Sequence, residues 1–198
     1  MNKKNVFVYV VNYIYLRQIV SMNLPIIIEP LNNTHCQEII DLILPIQQIE
    51  FNVPVNLESQ PDLLDIETNY DATGGKFWGA FYGEKLVGTI ALIGIGHKGG
   101  AIRKMFVRKE WRGKEHGIAG HLLEILIGYC KANDITDLFL GTVDLLNAAH
   151  RFYEKKGFDR IAQEDLPSYF PRMKADNMFY HLHLHHSEET DSKMKSIV

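Results

Sequence analysis

Val107-Arg108-Lys109-Glu110-Trp111-Arg112-Gly113-Lys114-Glu115-His116-Gly117-Ile118-Ala119 is the stretch whose reading decides the fold. Ahead of it, Ala101 to Val107 alternates and is partly apolar. Behind it, Gly117 to Lys131 carries apolar residues at helical spacing. That order reads as a strand, a polar glycine-bearing loop and a helix N-terminus. The first amide N–H groups of a helix have no partner inside it, and the peptide dipoles leave partial positive charge there, so the corner suits an anion. Gly113 and Gly117 let the backbone approach such a group closely, and Arg112 and Lys114 add full positive charge. Each dipole contact is worth only about 0.3–1 kcal/mol, so several amides and the basic side chains must act together. The expected ligand carries more than one phosphate.

Outward from this corner, Ile118, Leu122, Leu123, Leu126 and Cys130, with Ile125 and Ile127 between them, predict a helix buried on most sides against a sheet. Thr136 to Gly141 reads as a strand parallel to the one before the helix, because a helix connects them. Asn147 to Lys156 reads as a second helix ended by Gly157. Phe158 to Gln163 and Met178 to Leu184 complete a mixed sheet. Upstream, Phe77 to Tyr82 and Lys85 to Ile93 form a hairpin turning at Gly83-Glu84. Gly94-Ile95-Gly96-His97-Lys98-Gly99 spells a dinucleotide fingerprint, but a strand rather than a helix follows it, which excludes that use and leaves a wide turn. A Walker loop is excluded because no Gly-Lys is followed by Ser or Thr. Pro25 to Glu29 predicts a first strand. Thr34-His35-Cys36-Gln37 predicts a capping box opening a helix that Pro45 ends near Leu44, and Ile46 to Tyr70 reads as irregular.

The chain has 198 residues, 46% of them apolar and 23% charged, in the range of an ordinary globular protein with one main domain. A formal net charge of −3 with no basic stripe gives no reason to expect a nucleic-acid partner. Cys36 and Cys130 fall in apolar helical contexts and read as buried thiols of a reducing, cytoplasmic compartment. Residues 1–21 hold Lys3 and Lys4 before a short apolar run broken by Asn12. The run is short for a bilayer, so it is expected to be an extension outside the domain, with Met22 an alternative start and no membrane partner. Residues 22–186 are then the domain, and 187–198 a polar, disordered tail. His181, His183 and His185 share one strand face, where a metal site is conceivable, but a solvated face is the preferred reading and no metal is expected.

Lys114-Glu115-His116-Gly117-Ile118-Ala119 resembles the Gln/Arg-x-x-Gly-x-Gly/Ala signature of the Gcn5-related N-acetyltransferase (GNAT) family, with Lys in place of the usual Gln or Arg. Arg112-Gly113-Lys114 resembles the family's lead-in, with Glu115 and His116 as two extra residues. Ala149-His150-Arg151-Phe152-Tyr153-Glu154-Lys155-Lys156-Gly157-Phe158 resembles a second family block, and the likeness extends loosely from about Ile26 to Leu184. The resemblance implies an α/β (α+β) fold, the GNAT acyl-CoA N-acyltransferase fold: a mixed, mostly antiparallel sheet of about six to seven strands flanked by helices, with a splayed parallel pair in the middle. It also implies acetyl-CoA as co-substrate. The diphosphate is expected on the amides of Arg112, Gly113, Lys114, Glu115, His116, Gly117, Ile118 and Ala119, and the pantetheine along Met105, Phe106 and Val107.

Tyr153 matches the tyrosine that protonates the leaving sulfur, and a phenol with a reference pKa near 10 keeps its proton until it is needed. Asn147 falls one residue after the family's helix-start Asn, whose place is taken by Leu146, and its side-chain amide is a further expected cofactor contact; Ala101 stands where many relatives have Glu. No base is assigned; Glu50, His97 and Glu29 are candidates by residue type alone. The expected reaction is acetyl transfer by direct attack of a primary amine of a small or amino-acid-like acceptor. A protein lysine or N-terminal acceptor, a non-catalytic acyl-CoA-binding module and a homodimer stay open.

Overall fold

In the computed structural model the described residues are 24–185. The expectations for residues 1–21, for the tail and for both domain limits lie outside them. Seven strands form one sheet: β1 (Ile26–Pro30), β2 (Lys76–Tyr82), β3 (Lys85–Gly96), β4 (Gly99–Val107), β5 (Asp137–Thr142), β6 (Asp159–Ile161) and β7 (Met178–His183). Their order is β1-β2-β3-β4-β5-β7-β6, and only β4 and β5 run parallel. The longer helices are α1 (Cys36–Pro45), α2 (Ile118–Ala132), which makes the β4 to β5 crossover, and α3 (Asn147–Lys155); a single helical turn, Ile66–Asn69, lies in the stretch expected to be irregular. The chain therefore has the expected mixed sheet with its parallel pair in the middle. Among the described residues no helix is long and apolar enough to cross a membrane.

The parallel pairing is short, from Gly99 opposite Asp137 to Ile102 opposite Leu140. Beyond it β4 continues to Val107 and β5 to Thr142, so the two strands part and leave a fork in the sheet. On one face of the sheet, Ile118, Leu122 and Leu126 of α2 and Tyr153 of α3 pack on Ile102, Leu138 and Leu140. On the other face, Ile39, Leu42 and Ile43 of α1 pack on Phe77, Phe81 and Ala91. Each fully buried Ile or Leu contributes about 1.5–3 kcal/mol, so two separate cores hold the fork open from both sides.

Several local expectations are corrected. The glycine-rich run does not make a wide turn: His97 and Lys98, at φ 50° and 58°, form a tight two-residue connection. The glycines instead serve the paired strands, since a methyl on Gly94 would strike the Thr73 carbonyl and one on Gly100 the Leu92 side chain. α2 is buried along one stripe rather than on most sides, and Ile125 is 44% exposed. The N-terminal cap of the first helical segment is Asn32, which accepts from the Thr34 amide while its own amide donates to His35. Pro45 does not end the helical path: its φ of −61° suits the helix, and a wide turn, Ile46–Glu50, carries it on. At the far end of the sheet His181 and His183 both reach Asp137 Oδ1, at 2.9 and 3.0 Å. Burial would raise the Asp137 carboxyl, but hydrogen bonds from His183, Thr136 and His181 outweigh it and hold it at about 2. Among the described residues no cluster fit to hold a metal occurs.

Candidate functional site

The loop leaving β4 turns at Gly113 (φ 114°) and Gly117 (φ 62°), and Gly117 is the N-cap of α2. Two of its amides are used internally, Arg112 N–H to Lys109 O and Gly117 N–H to Gly113 O. Those of Lys114, Glu115, His116, Ile118, Ala119 and Gly120 have no backbone acceptor among the described residues. That is the row of donors an oxygen-rich anion needs. The corner already holds a negative group: the Glu115 carboxylate lies so close over Gly113 that a methyl there would collide with it. His116 leans on Trp111, which stacks on Tyr82. Arg112 is committed elsewhere. Its guanidinium forks onto both carboxylate oxygens of Glu50, its Nε donates to Val107 O at 2.7 Å, and it lies over Phe51. Lys114 is exposed and directs no charge at another side chain.

From this corner the open edge of β4 leads into the fork. Opposite β3, Thr89 pairs with Phe106 and Ala91 with Arg103, so Lys104 and Met105 together face one residue, Ile90. This bulge puts Lys104 at φ 49°, in the left-handed region that a side chain resists. Thr89, fully buried, donates from Oγ1 to the Lys104 carbonyl at 2.7 Å and holds the bulge. Thr89→Val should leave that carbonyl unsatisfied and lower stability by about 1–2 kcal/mol, read from denaturant midpoints. An unchanged midpoint would show that the bulge stands without it.

A cavity of about 600 Å³ opens at the fork, lined by Met105 and Phe106 of β4, Gly141 and Thr142 of β5, and Leu146, Ala149 and Tyr153. Tyr153 is buried and its hydroxyl donates to Met105 Sδ at 3.3 Å. Burial pushes its phenol above the ordinary value, so it stays protonated across the working pH range. Across the sheet, the cavity is lined by Gln47, Phe51, Gln60 and the segment Met173 to Asp176. There Arg103 faces Asp176, and Lys104 reaches Gln60 Oε1 at 2.6 Å and Asp62 at 3.1 Å. Asp62 also accepts from the buried Tyr70 hydroxyl. Burial lowers Lys104 from its ordinary value, and Asp62 offsets part of that.

Of the sequence-derived candidates, Met105, Phe106 and Tyr153 line one cavity, and Gly113 to Ala119 form the corner beside it. Val107 is buried against α2, with its carbonyl on Arg112. Asn147, exposed at the start of α3, lies outside the cavity lining, where Leu146 stands instead. None of the three base candidates lines the cavity: Glu50 binds Arg112, His97 stacks on Tyr169, and Glu29 is exposed on the outermost strand. Arg103, Lys104, Asp62 and Asp176 were missed. Two successive cations inside an otherwise apolar strand were the available signal for the first two.

A family model described as the acetyltransferase (GNAT) family matches residues 40–158. N-acetylaspartate synthetase of Danio rerio is 32% identical over 130 residues, 63% of this chain and 45% of that protein. N-acetyltransferase family 8 member 2 of Rattus norvegicus is 30% identical over 106 residues, 51% of this chain and 46% of that protein. The chain thus spans less than half the length of either. A solved GNAT-family acetyltransferase from Staphylococcus aureus Mu50 superposes with a TM-score of 0.78 at 41% identity, over 81% of this chain and 99% of that one. A PaiA N-acetyltransferase from Thermoplasma acidophilum, solved with coenzyme A, shares the fold at 19% identity, with a TM-score of 0.63 over 81% of this chain and 99% of that one.

Proposed function

Because this chain belongs to the acetyltransferase (GNAT) family, we propose that it transfers the acetyl group of acetyl-CoA to the primary amine of a small, amino-acid-like acceptor, both substrates being bound together. The observation that carries the reading is the fork between β4 and β5, set between the amide corner at Gly117 on one side and the Tyr153 hydroxyl on the other. Amides of Lys114 to His116 and Ile118 to Gly120 take the diphosphate, with the Glu115 side chain swinging aside. The unpaired edge of β4 beyond Ile102 offers main-chain partners to an extended pantetheine, as a sheet edge does to an added strand. A backbone N–H of Met105 to Val107 receives the developing oxyanion, and Tyr153 gives its proton to the departing sulfur. The acceptor enters from the α1 face. The names of the relatives support a small amine as acceptor, and two free cysteines, Cys36 and Cys130, fit the cytoplasm.

Titration calorimetry with CoA, followed by thiol release from acetyl-CoA across a panel of amines, tests the reading. Saturable CoA uptake and amine-dependent thiol release are expected. Uptake with no amine-dependent release would leave a binding module, and no uptake would end the reading altogether.

A further inference from the structure

Arg103 and Asp176 are opposite charges, each about nine-tenths buried, and both line the cavity at the fork. They stand 4.0 Å apart, beyond hydrogen-bond reach, and Arg103 Nε and Asp176 Oδ2 have no hydrogen-bond partner among the described residues. Buried charges without such partners are costly: burial lowers Arg103 and raises Asp176, and each charge offsets part of the other's shift. Phe170 lies 5.8 Å beneath the Arg103 guanidinium. The carboxylate of Asp176 rests on Gly141, where any side chain would displace it. Lys104, the neighbouring cation, is already satisfied by Asp62 and Gln60, so Arg103 is the cation with donor capacity left.

We propose that this pair is the docking site of the acceptor's two charges: Arg103 takes a carboxylate and Asp176 takes the ammonium, so that the acceptor is an amino acid. The proposal rests on the acetyl-transfer reading above and names its substrate class. A zwitterion is the complement of an opposed pair, because it supplies a carboxylate to Arg103 and an ammonium to Asp176 while leaving the net buried charge unchanged. Arg103 follows Ile102, the last residue of β4 paired to β5, and Asp176 lies on the first residue of β5 beyond the pairing, so both flank the mouth of the fork. There Asp176 also receives the proton that the ammonium must lose. The freed amine attacks the thioester carbonyl, a C–N bond forms, the C–S bond breaks and the thiolate takes the Tyr153 proton; the second proton that the nitrogen sheds on becoming an amide leaves to solvent water, from which the Tyr153 phenolate is reprotonated. Burial raises Asp176 above the ordinary carboxylate value, with Arg103 offsetting part of that, which makes it a better proton acceptor.

The test is a panel of α- and β-amino acids, each paired with the amine that lacks its carboxylate, assayed by thiol release from acetyl-CoA. At least one amino acid should exceed its partner about thirtyfold in kcat/KM. Arg103→Gln should raise KM for that amino acid by about the same factor while the CoA dissociation constant and the KM of the paired amine stay within threefold; any change in kcat acts through Asp176 and should be the same on both members. Arg103→Lys should restore part of the rise in KM. Asp176→Asn should lower kcat on both members of the pair about a hundredfold. Preference for amines without a carboxylate, or an equal rise in KM on both members from Arg103→Gln, overturns the proposal. Because the panel itself uses the wild-type chain, a variant that fails to fold does not remove the test. If CoA binds but nothing is acetylated, calorimetric titration of the amino acids into the CoA complex decides, and absence of binding overturns the proposal. If CoA itself does not bind, the acetyl-transfer reading falls, and amino-acid binding to the protein alone decides the zwitterion site.

Discussion

Tyr153→Phe should lower the acetyl-transfer rate about a thousandfold, near 4 kcal/mol, while CoA affinity stays within twofold of wild type. Among the described residues the hydroxyl has a single partner, Met105 Sδ, and the ring keeps its packing against Phe158 and Tyr180 when the oxygen is removed. Melting temperature should therefore move little. What is lost is the phenol proton proposed to reach the departing sulfur, Tyr153 being the phenol among the side chains lining the cavity. A reference thiol titrates near 8.5 and a phenol near 10, so the transfer is uphill by roughly 2 kcal/mol in water. Burial raises both groups, and the thiolate left in the same dry cavity narrows the gap. With the phenol held above its ordinary value, the protonated, active form persists as pH rises. Wild type should then show no fall in kcat from phenol ionisation below about pH 10. Full activity in the Phe variant would remove Tyr153 from the chemistry and leave it a packing residue of α3.

The parts legible in the sequence are those that local chemistry dictates. A strand, a glycine-bearing loop and an apolar helix in succession predicted the β4, Gly117 and α2 corner, and the hairpin at Gly83-Glu84 followed from alternation about a turn. Tyr153 was found through the resemblance of the Ala149 to Phe158 block to the family's, most of which stands on α3. The charged pairs were not legible, since Arg103 meets Asp176 and Lys104 meets Asp62 only after the sheet brings distant segments over the fork. The same applies to Arg112: positive charge beside a glycine suggested a phosphate ligand, and only the fold brings Glu50 and Phe51 within its reach. Composition misled where a residue had two uses. The glycines after Ile93 looked like turn residues, yet Gly94, Gly99 and Gly100 lack side chains where strands and loops touch, while Gly96 shares the positive-φ turn with His97 and Lys98. Helical spacing likewise cannot say how much of α2 the sheet covers, and Ile125 is left outside.

Gly117→Val should weaken CoA binding about tenfold while the rest of the fold stands. A methyl at position 117 would meet nothing nearer than His121, at 3.5 Å, so the change crowds no neighbour. Its cost is conformational. Gly117 sits at φ 62°, and a left-handed residue with a branched side chain loses about 1–2 kcal/mol or moves out of that region. Moving out turns the amides of His116 and Ile118 away from a common point, and each lost helix-terminus contact removes about 0.3–1 kcal/mol. CoA binding either drives residue 117 back into the left-handed region or forgoes these contacts, so the cost is about 1–2 kcal/mol, roughly five- to thirtyfold in affinity. Gly117→Asn is the discriminating control, because Asn tolerates the left-handed region, and it should cost under about threefold. Calorimetric titration of CoA into both variants reads the difference, with thermal melting reporting the fold. Wild-type affinity in the Val variant would mean that the diphosphate does not lie on this corner. A loss of equal size in Asn would mean that the side chain, rather than the backbone angle, is what the ligand cannot tolerate.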